Sequence, residues 1–153
     1  MKPSNDFSWE ILLIEDNAAD VYLTREALKE TGISHNLQVA EDGVVALEYL
    51  QRQGDNADAV RPDIILLDLN MPRMNGFELL ARIKSDDVLK SIPVIILSSS
   101  TAADDVAKAY ALNANCYTRK PVNIDEFINV INGIQEFWFK TAVLPRSPTG
   151  NKG

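Results

Sequence analysis

The chain has 153 residues, of which 46% are hydrophobic and 24% charged, and its formal net charge is −7. This size and composition indicate one globular domain with a substantial core. The acidic balance argues against nucleic acid as a partner, because phosphate binding needs a basic surface. No apolar run is long enough to span a membrane, the N-terminus lacks a signal-peptide pattern, and a single cysteine excludes an internal disulfide. We therefore expect a cytoplasmic protein with no membrane partner.

Hydrophobic patterns predict five pairs of a strand and a helix. Short unbroken apolar runs, such as residues 64–67, are typical of strands buried on both faces. Apolar residues at helical spacing after a polar cap, such as Asn17, are typical of helices. The predicted strands cover residues 10–14, 35–40, 64–68, 94–97 and 116–119, and the predicted helices cover 18–31, 43–53, 76–85, 102–112 and 123–139.

The alternation of strands and helices predicts the overall architecture. It is typical of an α/β protein with right-handed crossovers and a doubly wound parallel sheet. The expected strand order is 2-1-3-4-5, with a crevice between the first and third strands. Residues 10–139 would form the domain, after a short lead-in over residues 1–9 and before a flexible tail over residues 140–153.

Chemically active side chains follow four of the predicted strands. Glu15 and Asp16 end the first strand, Asp68 the third, Ser98 the fourth and Lys120 the fifth. Three carboxylates at one sheet edge repel one another unless a cation neutralises them, and oxygen ligands suit Mg²⁺. A carboxylate nucleophile with a divalent ion, an ammonium and a hydroxyl nearby indicates phosphoryl transfer onto Asp68.

Five motifs occur in order on the predicted elements and together indicate a family. They are Glu15-Asp16-Asn17, Leu66-Leu-Asp68-Leu-Asn70-Met-Pro72, Asn75-Gly76, Pro93-Val-Ile-Ile-Leu-Ser98-Ser99 and Tyr117-Thr-Arg-Lys120-Pro121. Over about residues 10–139 the chain resembles the receiver domains of two-component response regulators, the CheY-like family. The resemblance implies a flavodoxin-like (βα)5 fold of five parallel strands.

The same resemblance implies a metal site and a phosphoacceptor. Asp68 would accept a phosphoryl group from the phosphohistidine of a histidine kinase. Asp16 and Asp68 would bind Mg²⁺ directly, with the backbone carbonyl of Asn70 as a further ligand and Glu15 acting mostly through water. The chain would then be a phosphoprotein of a phosphorelay rather than an enzyme with turnover.

The resemblance also implies how the signal is transmitted. Ser98 and Lys120 would bind the phosphoryl group, and Ser98 with Tyr117 would form the switch pair. In this family the hydroxyl moves toward the phosphate and the aromatic ring turns inward.

No output domain is recognisable after the last predicted helix, so we expect a stand-alone regulator that signals through contact with an unknown downstream protein. Five apolar residues of that helix can face the sheet, which leaves Phe137 and Phe139, and Tyr110 on the preceding helix, with apolar surface to spare. This surface has two possible roles. It packs against the tail or stays a small exposed patch, or it is part of a homodimer interface formed by the fourth helix, fifth strand and fifth helix. We expect the homodimer.

Three features are similar to one subgroup of the family. They are the aromatic-rich final helix, the Glu-Asp-Asn start of the first motif and the long polar loop before Pro62. The small regulators paired with bacterial phytochrome histidine kinases share them, so a phytochrome kinase is the expected partner.

Two other functions stay open from the sequence. A phosphatase of the haloacid-dehalogenase type also uses a strand-end Asp with Mg²⁺, but it places a second Asp where this chain has Asn70. A receiver-like module that binds a partner without phosphorylation normally lacks an acid or the lysine, and here Glu15, Asp16, Asp68 and Lys120 are all present.

Overall fold

A computed structural model describes residues 8–52, 54–71 and 73–145. Within these residues five parallel strands form one sheet in the order β2-β1-β3-β4-β5, as the sequence predicts. The strands are β1 (Trp9–Ile14), β2 (His35–Ala40), β3 (Ile64–Asp68), β4 (Val94–Ser98) and β5 (Cys116–Arg119). The helices are α1 (Ala18–Thr31), α2 (Gly43–Leu50), α3 (Gly76–Ser85), α4 (Ala103–Ala111) and α5 (Ile124–Ile134).

The two faces of the sheet bury separate apolar layers. All five residues of β3 and of β4 are buried, as expected for strands covered on both sides. Because side chains alternate along a strand, Leu12 and Ile14 face a layer built with α2 and α3, whereas Ile11 and Leu13 face α1 and α5. Within the described residues, no helix is both long and apolar enough to cross a bilayer.

Two helices end more than one residue away from their predicted ends. The helix α2 ends at Leu50 rather than at residue 53, and Arg52 adopts a left-handed φ of 57° that an α-helix cannot continue through. The following polar loop contains a short 3₁₀ turn, Gly54–Asn56. The α-helical part of the last helix ends at Ile134 and continues as a π-helix, Gln135–Thr141, two residues past the predicted domain boundary.

The π-helix packs the end of the domain onto its beginning. The ring of Phe139 stacks on Trp9, with centroids 4.5 Å apart, and Trp138 also packs on the layer of α1 and α5. Because a π turn is wider than an α turn, the residues after Ile134 depart from the α-helical spacing on which the sequence prediction rests. The remainder of the predicted lead-in, residues 1–7, and residues 146–153 of the predicted flexible tail lie outside the described residues.

A glycine fixes the loop that follows β3. Asn75 caps α3 by accepting a hydrogen bond from the N–H of Glu78. A Cβ on Gly76 would lie 2.5 Å from Cα of Leu69 and 2.9 Å from the carbonyl oxygen of Asp68. The missing side chain therefore allows α3 to start directly against the end of β3.

Candidate functional site

The strand register brings the predicted site residues to one edge of the sheet. Ile14 pairs with Leu67 and Asp68 with Leu97, so Glu15 and Asp68 lie side by side where β1 and β3 end. Ser98 pairs with Arg119, which places Lys120 at the same edge. This is the carboxyl edge, at the point where the strand order reverses and where open α/β sheets bind ligands.

Three carboxylates converge at this edge as predicted. One oxygen each of Glu15, Asp16 and Asp68 lies within 4.8 Å of the others, and we call these three residues the acidic cluster. Glu15 and Asp68 are only 3% and 4% exposed, whereas Asp16 is exposed. Such hard oxygen ligands, open to water on one side, fit a divalent cation of the Mg²⁺ type.

Lys120 joins the carboxylates through its ammonium group. Its Nζ lies 2.9 Å from Oε1 of Glu15, 2.7 Å from Oδ2 of Asp20 and 3.4 Å from Oδ2 of Asp68. We call these three acids the lysine cradle. The sequence predicts the proximity of Glu15, Asp68 and Lys120, but it does not predict that Asp20 joins them. An acid in the first turn of a helix is already explained by its favourable interaction with the helix dipole, so nothing in the sequence sets Asp20 apart.

The two charged centres shift one another's pKa. Burial, helped by the charge of Asp68 and opposed by the contact with Lys120, raises the pKa of Glu15 to about 7. Burial lowers the pKa of Lys120, but the hydrogen bonds to Asp20 and Glu15 and the charge of Asp68 outweigh it and hold that pKa above its usual value. The ammonium therefore stays charged at neutral pH and neutralises part of the acidic edge.

Ser98 and Asn70 lie on either side of Asp68, the predicted acceptor. Ser98 is buried at the end of β4, where its Oγ accepts a hydrogen bond of 3.1 Å from the N–H of Ser100. Its carbonyl oxygen accepts a bond of 2.7 Å from the backbone N–H of Lys120, which ties β4 to the residue after β5. Asn70 follows Asp68 in the loop and donates its backbone N–H to Oδ1 of Asp68 at 3.2 Å.

A second charged pair holds that loop from the other side. Arg73 has a left-handed φ of 65°, and its guanidinium contacts Oδ2 of Asp42 at 2.7 and 2.9 Å. Asp42 also caps α2 by accepting from the N–H of Val45. Burial raises the pKa of Asp42, but the Val45 N–H and the Arg73 guanidinium lower it by more, so it lies below its usual value. The sequence carries no motif that predicts this pair.

Tyr117 and Tyr110 are linked to each other and to the loop after β4. The hydroxyl of Tyr117 donates to the carbonyl oxygen of Ser100 at 2.8 Å, and the backbone N–H of Tyr117 donates to the hydroxyl of Tyr110 at 3.0 Å. Tyr110 thus satisfies a backbone donor on the edge strand β5, a role that the sequence does not reveal. Its ring is still 47% exposed.

The aromatic residues predicted for an interface differ in exposure. Phe137 is 52% exposed and packs edge-on against Trp138. Phe139 is half-buried, and its ring stacks on Trp9 in the layer of α1 and α5. The contact of Tyr110, Phe137 and Phe139 with a second copy of the chain stays a prediction.

Comparison with known proteins agrees with this geometry. Residues 11–132 match the family described as response regulator receiver domain. The response regulator Rcp1 of Synechocystis sp. is 44% identical over 135 residues, which are 88% of this chain and 92% of Rcp1.

Two solved structures are similar over most of the chain. The phosphorylated cyanobacterial phytochrome response regulator RcpA has a TM-score of 0.87 and 46% identity, over 92% of this chain and 100% of RcpA. The Mn²⁺-bound form of Rcp1 has a TM-score of 0.84 and 43% identity, over 90% of this chain and 99% of the Rcp1 chain. With its fold, its sheet edge and these relatives in agreement, the chain belongs to the response regulator receiver domain family.

Proposed function

We propose that this receiver accepts a phosphoryl group from a histidine kinase onto Asp68, with Mg²⁺ in the acidic cluster, and signals by contact with another protein. The observation that carries the proposal is the ammonium of Lys120 held 3.4 Å from a nearly buried Asp68 between two further carboxylates. An arrangement that neutralises charge beside a strand-end carboxylate is what phosphoryl transfer needs.

Each residue has a defined part in the proposed transfer. Asp68 Oδ forms a bond to phosphorus while the bond from phosphorus to the donor breaks, and the donor keeps that electron pair. Lys120 donates a hydrogen bond to a phosphoryl oxygen, and the Ser98 hydroxyl donates to another. Mg²⁺ would be held by Asp16, Asp68 and the carbonyl of Asn70, with Glu15 acting through water, and it would offset the charge of the phosphoryl oxygens. Tyr117 responds to the movement of the Ser98 hydroxyl.

The relatives support a light-sensing kinase as the partner. RcpA is described as a phytochrome response regulator, and it is similar to this chain over its whole length. A phosphorylated phytochrome kinase should transfer to this protein faster than an unrelated histidine kinase does. Equal initial rates from both kinases, or transfer from the unrelated kinase alone, would remove the phytochrome link while leaving the phosphoacceptor intact.

Two alternatives lead to different results. A haloacid-dehalogenase-type phosphatase would turn over phosphate esters in the steady state, and the position two residues after Asp68 is Asn70 rather than an acid. A binding module without phosphorylation would form no adduct, and the complete set of acids with Lys120 argues against it.

The test is the intact mass after incubation with acetyl phosphate and Mg²⁺. We expect a single phosphate adduct in the unchanged protein and in Asp104→Asn, which removes an exposed acid from the first turn of α4. We expect none with EDTA or in Asp68→Ala. An adduct that survives Asp68→Ala would disprove the assigned acceptor. No adduct from acetyl phosphate or from any phosphorylated kinase would favour the binding module.

We also propose that the chain forms a homodimer, and the exposed residues Phe137 and Tyr110 are the candidates for its interface. Phe137→Ser should shift sedimentation toward the monomer, whereas Val88→Ser, at another exposed apolar residue, should not. If both variants sediment like the unchanged protein, the exposed ring of Phe137 is not part of a dimer.

A further inference from the structure

The ammonium of Lys120 has as many carboxylate partners as it has hydrogens to donate. An ammonium carries three N–H donors and no acceptor, and three carboxylates lie within 2.7 to 3.4 Å of Nζ. The shortest of the three contacts is the one with Asp20, and the longest is the one with Asp68. Within the lysine cradle, the ammonium therefore lies closer to Asp20 and Glu15 than to Asp68, the proposed acceptor.

Two of the three partners are shared with other chemistry. Glu15 and Asp68 belong to the acidic cluster, so their oxygens are also the candidate ligands of a cation. Asp68 in addition changes its charge and shape when it carries a phosphoryl group. Asp20 lies outside the acidic cluster, in the first turn of α1, and the proposed function places no other demand on its carboxylate.

The backbone around Asp20 fixes where its carboxylate lies. Its N–H donates to Oδ1 of the N-cap residue Asn17 at 3.0 Å, and its carbonyl oxygen accepts from the hydroxyl of the buried Thr24 at 2.8 Å. The N–H of Asn17 in turn donates to Oε2 of Glu15 at 3.1 Å. The end of β1 and the first turn of α1 are thus tied together, and the side chain of Asp20 is left for Lys120.

We propose that Asp20 is a positioning residue: it holds the ammonium of Lys120 beside Asp68 when Glu15 and Asp68 are engaged elsewhere. The inference rests on the proposed phosphoryl transfer to Asp68. With Asp20 in place, Lys120 keeps one carboxylate contact, and another of its N–H donors can turn from Asp68 to a phosphoryl oxygen. Without Asp20, the ammonium depends on the two acids that the reaction uses.

The first test is a double-mutant cycle on the phosphorylation rate. At saturating acetyl phosphate and Mg²⁺, Asp20→Asn should lower the maximal rate about tenfold, the effect of losing one hydrogen bond to a charged group. Asp20→Glu, which keeps the carboxylate, should recover most of the rate, and Asp104→Asn should match the unchanged protein. In a Lys120→Met background, Asp20→Asn should have no further effect. An unchanged rate in Asp20→Asn, or the same slowing with and without Lys120, would overturn the proposal.

The second test needs no phosphoryl transfer. In ¹⁵N-labelled protein with Mg²⁺, the ammonium signal of Lys120, identified by its loss in Lys120→Met, should be present in the unchanged protein and in Asp104→Asn. It should be lost to exchange with water in Asp20→Asn. A signal that persists unaltered in Asp20→Asn would overturn the role of Asp20. If the signal is lost in Asp20→Asn but the unchanged protein accepts no phosphoryl group, the role of Asp20 in holding Lys120 stands and the proposed function fails.

Discussion

Two lysines at opposite edges of the sheet each have three hydrogen-bond acceptors, but their pKa values are shifted in opposite directions. At the carboxyl edge, Lys120 donates to three carboxylates. At the amino edge, Lys84 in the last turn of α3 donates to the carbonyl oxygens of Lys90 and Ile92 and to Oδ1 of Asn115, at 2.9 to 3.0 Å. Burial lowers the pKa of Lys84 to about 8, whereas the pKa of Lys120 is raised.

The contrast separates a lysine that joins elements of the fold from one that lies at the site of the proposed phosphoryl transfer. Lys84 joins the end of α3 to the segments that lead into β4 and β5, and neutral acceptors suffice for that. Lys120 sits among more negative charge than it can neutralise, since Asp16 adds a further carboxylate to its three partners. Uncompensated charge lowers stability, but it attracts a cation, which the proposed chemistry needs.

The largest effect on stability is expected from removing the ammonium group of Lys120 at the carboxyl edge. Lys120→Met leaves Glu15 and Asp68 buried without their ammonium, so the free energy of unfolding at pH 7.5 should fall by about 3 kcal/mol. Saturating Mg²⁺ should return part of the loss, because ions that bind only the folded chain stabilise it. Urea unfolding with Mg²⁺ and with EDTA measures both effects.

Lys29→Met is the control for that experiment, because Lys29 is an exposed lysine whose ammonium pairs with Glu26 on its own helix. Its loss should cost less than about 1 kcal/mol, with or without Mg²⁺. Equal effects of the two substitutions would contradict the view that Lys120 compensates buried charge.

The next effect is a pH dependence at the amino edge. Between pH 8 and 10.5 the unfolded chain holds a proton on Lys84 that the folded chain has released, so stability from this group rises with pH and is lost as pH falls through 8. The stability advantage of the unchanged protein over Lys84→Met should therefore widen across this range. The limit is about 3 kcal/mol, less what water screens at the partly exposed side chain. A gap between the two unfolding curves that stays constant from pH 7.5 to 10.5 would contradict the lowered pKa.

Local patterns predict the sheet and most of its active edge, and the reason is visible in particular residues. The run from Ile64 to Leu67 can only be a buried strand in this context, so the residue after it must lie at the carboxyl edge. Asn113 is predicted to be left-handed from its position after a helix, and its φ of 73° confirms this.

Contacts that depend on the direction of a side chain are not predictable in this way. Asp20 and Lys120 are 100 positions apart, and their contact depends on how the first turn of α1 is oriented against the end of β5. Lys84 is one of several polar residues on α3, and helical periodicity does not indicate that it reaches Asn115. Periodicity also cannot distinguish an α-helix from the π-helix that brings Phe139 onto Trp9.

The smallest expected effect tests whether the charge of the acceptors, rather than their number, divides the two lysines. Asn115→Asp keeps the oxygen that accepts from Lys84 and from the N–H of Val94, but it makes that oxygen part of a carboxylate. The pKa of Lys84 should then rise toward its usual value, so the stability gained between pH 8 and 10.5 should shrink by about 1 kcal/mol. Unfolding of Asn115→Asp, compared with Asn132→Asp on the exposed side of α5, measures the change. If both variants keep the pH dependence of the unchanged protein, burial alone sets the charge of Lys84. If the pH dependence shrinks only in Asn115→Asp, one carboxylate is enough to raise the pKa of a lysine at the amino edge, as carboxylates do for Lys120 at the carboxyl edge. The three carboxylates around Lys120 then exceed what a lysine with a purely structural role needs.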